Sequence, residues 1–133
     1  VFLVAAACEE IAWSGYATDP LRRRWGLLPG SILLGIGCGL WHLIPWLQVH
    51  DMSWVLGQFA FTVVGRVLIA LVYDGLGGSV AAATVFHTVS NMCFVAAGSA
   101  YSPIGMAVVG AAAAIVPAVL YARRTTATAL PRT

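Results

Sequence analysis

Long apolar runs follow one another through this sequence with only short polar breaks, at 31–47, 54–73, 79–97 and 104–122. A stretch of about 20 such residues is what an α-helix needs to cross roughly 30 Å of hydrocarbon. No water is present there to bond a free N–H or C=O, so these runs fold as helices that satisfy their own backbone. A shorter run from Val1 to about Tyr16 precedes them and begins without an initiator Met or a polar leader. Composition points the same way: of 133 residues 60% are hydrophobic and 9% charged, against about 25% charged in an ordinary soluble domain. The sequence therefore predicts an all-α, polytopic transmembrane helical bundle of about five helices, the first truncated, in a chain that lacks upstream helices. It predicts one membrane domain over 1–122 and a polar tail over 123–133, with no second domain, internal repeat or signal-peptide pattern.

Turn formers place the boundaries. The first helix, about 1–16, is expected to end at Gly15 and the pair Asp19-Pro20, and Arg22, Arg23 and Arg24 then form a basic loop closed by Leu28-Pro29-Gly30. Glycines in Asp74 to Gly78 read as a tight turn. The cationic residues are all Arg, and with five crossings Arg22, Arg23, Arg24, Arg123, Arg124 and Arg132 share one side. The positive-inside rule makes that side cytoplasmic. Arg without Lys, among many Ala and Gly, suggests a bacterium, so the expected location is the bacterial cytoplasmic membrane. A net charge of +2 is too small for a nucleic-acid partner, and Arg22 to Arg24 are expected to meet anionic headgroups. Trp25, Trp46 and Trp54, near helix ends, are expected to anchor at the interface. Cys8, Cys38 and Cys93 have no C-x-x-C spacing and read as small packing residues.

Against this background a few polar residues stand out. Glu9 and Glu10 end the apolar run Val1 to Cys8, where a charge costs roughly 2.5–3.5 kcal/mol by insertion scales, so they read as functional. Counted at about 1.5 Å per residue from the arginine side, Glu9 and Glu10 lie roughly 9–12 Å deep, His87 roughly 12 Å, and His42 and Asn91 roughly 16–18 Å. His87 and Asn91 are spaced i, i+4 and share a helix face. Arg66, roughly 10 Å deep by the same rise, is a candidate counter-ion. These groups are expected to converge on one pocket, and a hydrolase reading expects it to open toward the arginine side. His50, beside Asp51, is expected to be solvated.

Three stretches, Glu9-Glu10-Ile11-Ala12-Trp13-Ser14-Gly15-Tyr16, Gly39-Leu40-Trp41-His42-Leu43 and His87-Thr88-Val89-Ser90-Asn91, resemble in order and approximate spacing the three motifs of the CPBP family. These are the CAAX-prenyl endopeptidases and bacteriocin-processing or self-immunity proteins, often called CAAX or Abi intramembrane proteases. The resemblance implies hydrolysis of a peptide bond within the membrane. Glu9 would be the base with His42 sharing its water, His87 and Asn91 would hold the oxyanion, and Glu10 would be a structural or electrostatic partner. Two positions depart from the pattern. Ser14 stands where the first motif has Arg, and Cys38 where the second has Phe. An Arg at 14 would be i, i+4 from Glu10, so another guanidinium is expected to replace it, with Arg66 or a loop arginine as candidates.

A zinc site on Glu9, His42 and His87 has the right donor types, but there is no H-E-x-x-H pair, and the favoured reading is no tightly bound zinc. The expected partners are a membrane-associated peptide or protein substrate and the lipid bilayer. Nothing in the sequence reads a prenyl group or a particular peptide. Two other readings stay open: an inactive relative acting as an immunity or scaffold protein, for which Ser14 speaks, and a proton-coupled transporter built on the same Glu and His groups.

Overall fold

The chain begins as one continuous helical stretch whose pitch changes in its middle. Helix α1 (Phe2–Ala12) passes into a π-helical segment, Trp13–Thr18, and then into α2 (Asp19–Trp25). Three further helices follow, α3 (Leu27–Val49), α4 (Met52–Gly75) and α5 (Val80–Ala97). The computed structural model describes residues 1–97, so the predicted helix 104–122 and the tail 123–133 lie outside the described residues. Among the described residues there is no strand.

The expected turn at Asp19-Pro20 is thus helix, and the basic loop is its last turn. Pro20 sits in the first turn of α2, where its fixed φ suits the helix. The wide π turn before it absorbs the change of register, and Thr18 Oγ1 donates to the Trp13 carbonyl at 2.9 Å. Arg22 turns inward to Asp19, at 3.4 Å, and to Asp74, tying α2 to the end of α4. Gly26, at φ +85°, ends α2 in a backbone conformation that side chains resist. Helix α3 then starts at Leu27, four residues before the predicted run at 31, with Pro29 in its first turn.

Helices α3 and α4 are both long and apolar enough to cross a membrane, while the apolar part of α5, Val80–Ala96, is shorter. They form an antiparallel hairpin through His50 and Asp51. Asp51 caps α4, accepting from the Ser53 hydroxyl at 2.5 Å and the Trp54 N–H at 2.9 Å. Those two bonds, the Ser53 one foremost, hold its carboxyl below the usual carboxylate range. The hairpin is tight at Gly35, where a Cβ would stand 2.8 Å from the Val63 Cα. Small residues at such a contact let two membrane helices approach closely. Helix α5 packs on α1 and α4, and the π segment touches α3, α4 and α5 together.

Polarity is arranged inside out. Ile11, Trp41, Ile44 and Leu56 are each more than half exposed, whereas Glu10, Ser14, Arg66 and Thr84 are buried. A bundle surrounded by lipid hides its polar groups and shows its apolar ones. A smaller apolar cluster, Ile69, Tyr73 and Ala83 with Val80 and Phe86 against it, closes the bundle between α4 and α5 at the arginine end.

Candidate active site

Site residues come from four helices. The close α3–α4 approach at Gly35 leaves His42 on α3 and Arg66 on α4 facing the same interior, and α5 adds His87 and Asn91. Glu10, at the end of α1, has 0% of its side chain exposed. Arg66 Nη1 donates to its Oε2 at 2.8 Å. The Ser14 hydroxyl, one turn on in the π segment, donates to the same oxygen. His87 Nδ1 lies 2.8 Å from the other oxygen, Oε1. A carboxylate that accepts from a guanidinium and a hydroxyl takes its third bond from His87 Nδ1–H. That assignment leaves Nε2 as the histidine nitrogen available to a ligand. Arg66 is itself only 4% exposed, and among the described residues its Nε has no hydrogen-bond partner.

Glu9, the adjacent residue, points elsewhere. Successive helical residues are turned by about 100°, and Glu9 Oε2 reaches to 3.8 Å from His42 Nε2, with both side chains about one-third exposed. That separation is too long for a direct hydrogen bond and suits a bridging water. Glu9, His42, Arg66, His87 and Asn91 all line one cavity of about 310 Å³. Glu10 is not on its wall; it lies behind Arg66 and His87. The structure thus brings the sequence-predicted residues together in two layers, a cavity wall and a sealed support.

From the polar residues the cavity lining extends past Phe61, Phe94, Gln58 and Trp46 toward the α3–α4 connection, and Ile69 and Phe86 line it on the arginine side. Two wall residues were read otherwise in the sequence, Cys38 as packing and Trp46 as an interfacial anchor, and Gln58 drew no reading. Only the i, i+4 spacing of Cys38, His42 and Trp46 on one helix face signalled the wall.

Among the described residues, no three His, Cys, Asp or Glu side chains are grouped so as to hold a metal ion. Glu9, His42 and His87 line one cavity without forming such a group.

Comparison with known proteins agrees with the motifs. A family model described as type II CAAX prenyl endopeptidase Rce1-like matches residues 1–93. A stretch of 42 residues, 32% of this chain, is 50% identical to CAAX prenyl protease 2 of Methanococcus maripaludis, and the match spans 16% of that protein's length. No solved structure matches the chain.

Proposed function

Because the chain belongs to the Rce1-like type II CAAX prenyl endopeptidases of the CPBP family, a family of integral-membrane peptide hydrolases, we propose that it cleaves a peptide bond by water activated between Glu9 and His42. The observation that carries the reading is the 3.8 Å gap between Glu9 Oε2 and His42 Nε2 on the wall that also bears His87 and Asn91. A water in that gap gives its proton to the Glu9–His42 pair as its oxygen attacks the carbonyl carbon. General-base help of this kind contributes about 10²–10⁴ in rate. The carbonyl oxygen becomes an oxyanion, which the Asn91 amide N–H stabilises, joined by His87 Nε2–H when that ring is an imidazolium; one such donor is worth roughly 2.7–4 kcal/mol. When the C–N bond breaks, the proton held by the Glu9–His42 pair passes to the leaving amine.

In this scheme Glu10 never meets substrate. It fixes the tautomer and tilt of His87, and Arg66 supplies the cation that makes a carboxylate tolerable at a fully buried position. Ser14 was the feature favouring an inactive relative. Arg66 occupies the Glu10 ion pair, which supports the active reading instead. The substrate is a membrane-associated peptide or protein, and the proposed setting is a bacterial cytoplasmic membrane with the Arg22–Arg24 end toward the cytoplasm.

The test is a comparison of Glu9→Gln and Glu10→Gln in protein reconstituted with a mixed peptide library and read by mass spectrometry. Glu9→Gln stops cleavage in protein that remains folded, whereas Glu10→Gln loses folding stability along with activity. A folded Glu9→Gln protein that cleaves like the wild type would reverse the assignment.

A further inference from the structure

Within the described residues His42 lacks the support that a working histidine ordinarily has. An imidazole that handles a proton is usually oriented by a hydrogen bond on its far nitrogen. Among the described residues the polar side chain nearest the His42 ring nitrogens is that of Glu9, 3.8 Å from Nε2. What it has is a ring. Trp46, one turn on along α3, stacks on it with centroids 5.3 Å apart and planes inclined by 21°.

Trp46 is in turn braced. Trp54 meets it edge to face, with centroids 6.1 Å apart and planes at 76°. Trp54 stands outside the cavity wall, whereas Trp46 is part of it. The Trp54 backbone is fixed in the first turn of α4 by its N–H bond to the cap Asp51 at 2.9 Å, and His50 stacks on its indole at 3.6 Å. A column of four rings, His42, Trp46, Trp54 and His50, thus runs from the partner of Glu9 to the α3–α4 connection. A tryptophan that served only as an interfacial anchor would have no reason to turn into the cavity.

We propose that Trp46 is the positioning residue of the Glu9–His42 pair, holding the imidazole plane by ring stacking, with Trp54 as its buttress. The consequence for rate rests on the hydrolase reading above; the stacking itself does not. Loss of the stack lets His42 rotate away from Glu9, and a misplacement of about 1 Å at a reacting group costs on the order of 10²-fold in rate.

The experiment uses the full chain in lipid nanodiscs with isotope-labelled histidine, the His42 Cε1–H signal being assigned with His42→Gln. Trp46→Leu, Trp46→Phe and Trp54→Leu are compared for that signal and for kcat and KM on a cleaved library peptide. The expected result is a wild-type His42 signal displaced by the indole ring current. Trp46→Leu moves it toward the position of a free imidazole and lowers kcat roughly tenfold to a hundredfold, and Trp46→Phe restores most of both. Trp54→Leu, which leaves the cavity wall intact, lowers kcat with KM unchanged; should Trp46→Leu fail to fold, this variant and Trp46→Phe decide. An undisplaced His42 signal in the wild type overturns the proposal, as does a folded Trp46→Leu or Trp54→Leu protein with wild-type kcat. If the wild type cleaves no peptide, the hydrolase reading fails separately, and a displaced His42 signal that Trp46→Leu or Trp54→Leu releases still upholds the positioning contact.

Discussion

Removing the Arg66 side chain while keeping its bulk, as in Arg66→Met, isolates the ion pair on which the site is built. Glu10 is fully buried, with Arg66 Nη1 at 2.8 Å as its cation. Breaking a buried pair from one side leaves an uncompensated charge and costs about 3–5 kcal/mol. Against a total folding stability of roughly 5–15 kcal/mol, that is about a fifth of the total at the least and most of it in a marginal bundle. Glu10→Met strands the guanidinium and carries a similar penalty. Replacing both partners with apolar residues removes both charges, so Glu10→Met with Arg66→Met costs no more than either single change. The coupling in this cycle is then on the order of 3 kcal/mol.

Ser14 allows a sharper version. Its hydroxyl already reaches the same carboxylate oxygen as Arg66. An arginine introduced at 14 in the Arg66→Met background, one turn from Glu10, therefore restores the cation from a different helix. Unfolding of purified protein in mixed micelles, followed by tryptophan fluorescence, measures all of these variants. Stability should fall in Arg66→Met and recover in the Ser14→Arg, Arg66→Met double variant. A loss below about 1 kcal/mol for Arg66→Met, or single losses that add in the Glu10, Arg66 double variant, would refute the argument.

Other outcomes follow from neighbouring contacts. Gly35→Ala places a methyl group 2.8 Å from the Val63 Cα, so α3 and α4 must part, with a loss of about 1–3 kcal/mol measurable in the same unfolding assay. Asn91→Ala removes one oxyanion donor and should lower kcat by about 10²–10³ while the folded protein melts as before. The carboxyl of Asp51 sits below its ordinary value, so its cap contributes stability above the unfolded carboxylate pKa of about 3.9. That contribution is lost as pH falls through the lower folded value. Melting curves between about pH 3 and 7 should show an acid-side decline that is shallower in Asp51→Asn.

Much of the site could be read in the sequence because charge is conspicuous in an apolar chain. Glu9, Glu10 and Arg66 had no cheap place to be except facing one another, and the helical rise put them near the level of His42 and His87. The division of labour between the glutamates was visible only as an angle between adjacent residues. Which of them is sealed depends on Ser14, Arg66 and His87 surrounding Glu10, a three-helix arrangement that no single stretch encodes. Pro20 misled for a local reason, since proline ends most helices but is welcome in a first turn, and nothing marks the π segment before it. The place of Trp46 on the cavity wall was hidden for the opposite reason. It depends on Trp54, Phe61 and Phe94, which arrive from other helices and look in the sequence like any apolar residue.

The account's central claim is that water, activated by Glu9 with His42, attacks a peptide carbonyl. The most direct measurement is cleavage of a library peptide by the reconstituted protein in ¹⁸O-labelled water, with the products weighed by mass spectrometry. The account predicts that the new carboxylate carries a single ¹⁸O and that the labelled product disappears in a folded Glu9→Gln variant. Unlabelled product, or labelled product formed at the wild-type rate by Glu9→Gln, would contradict it.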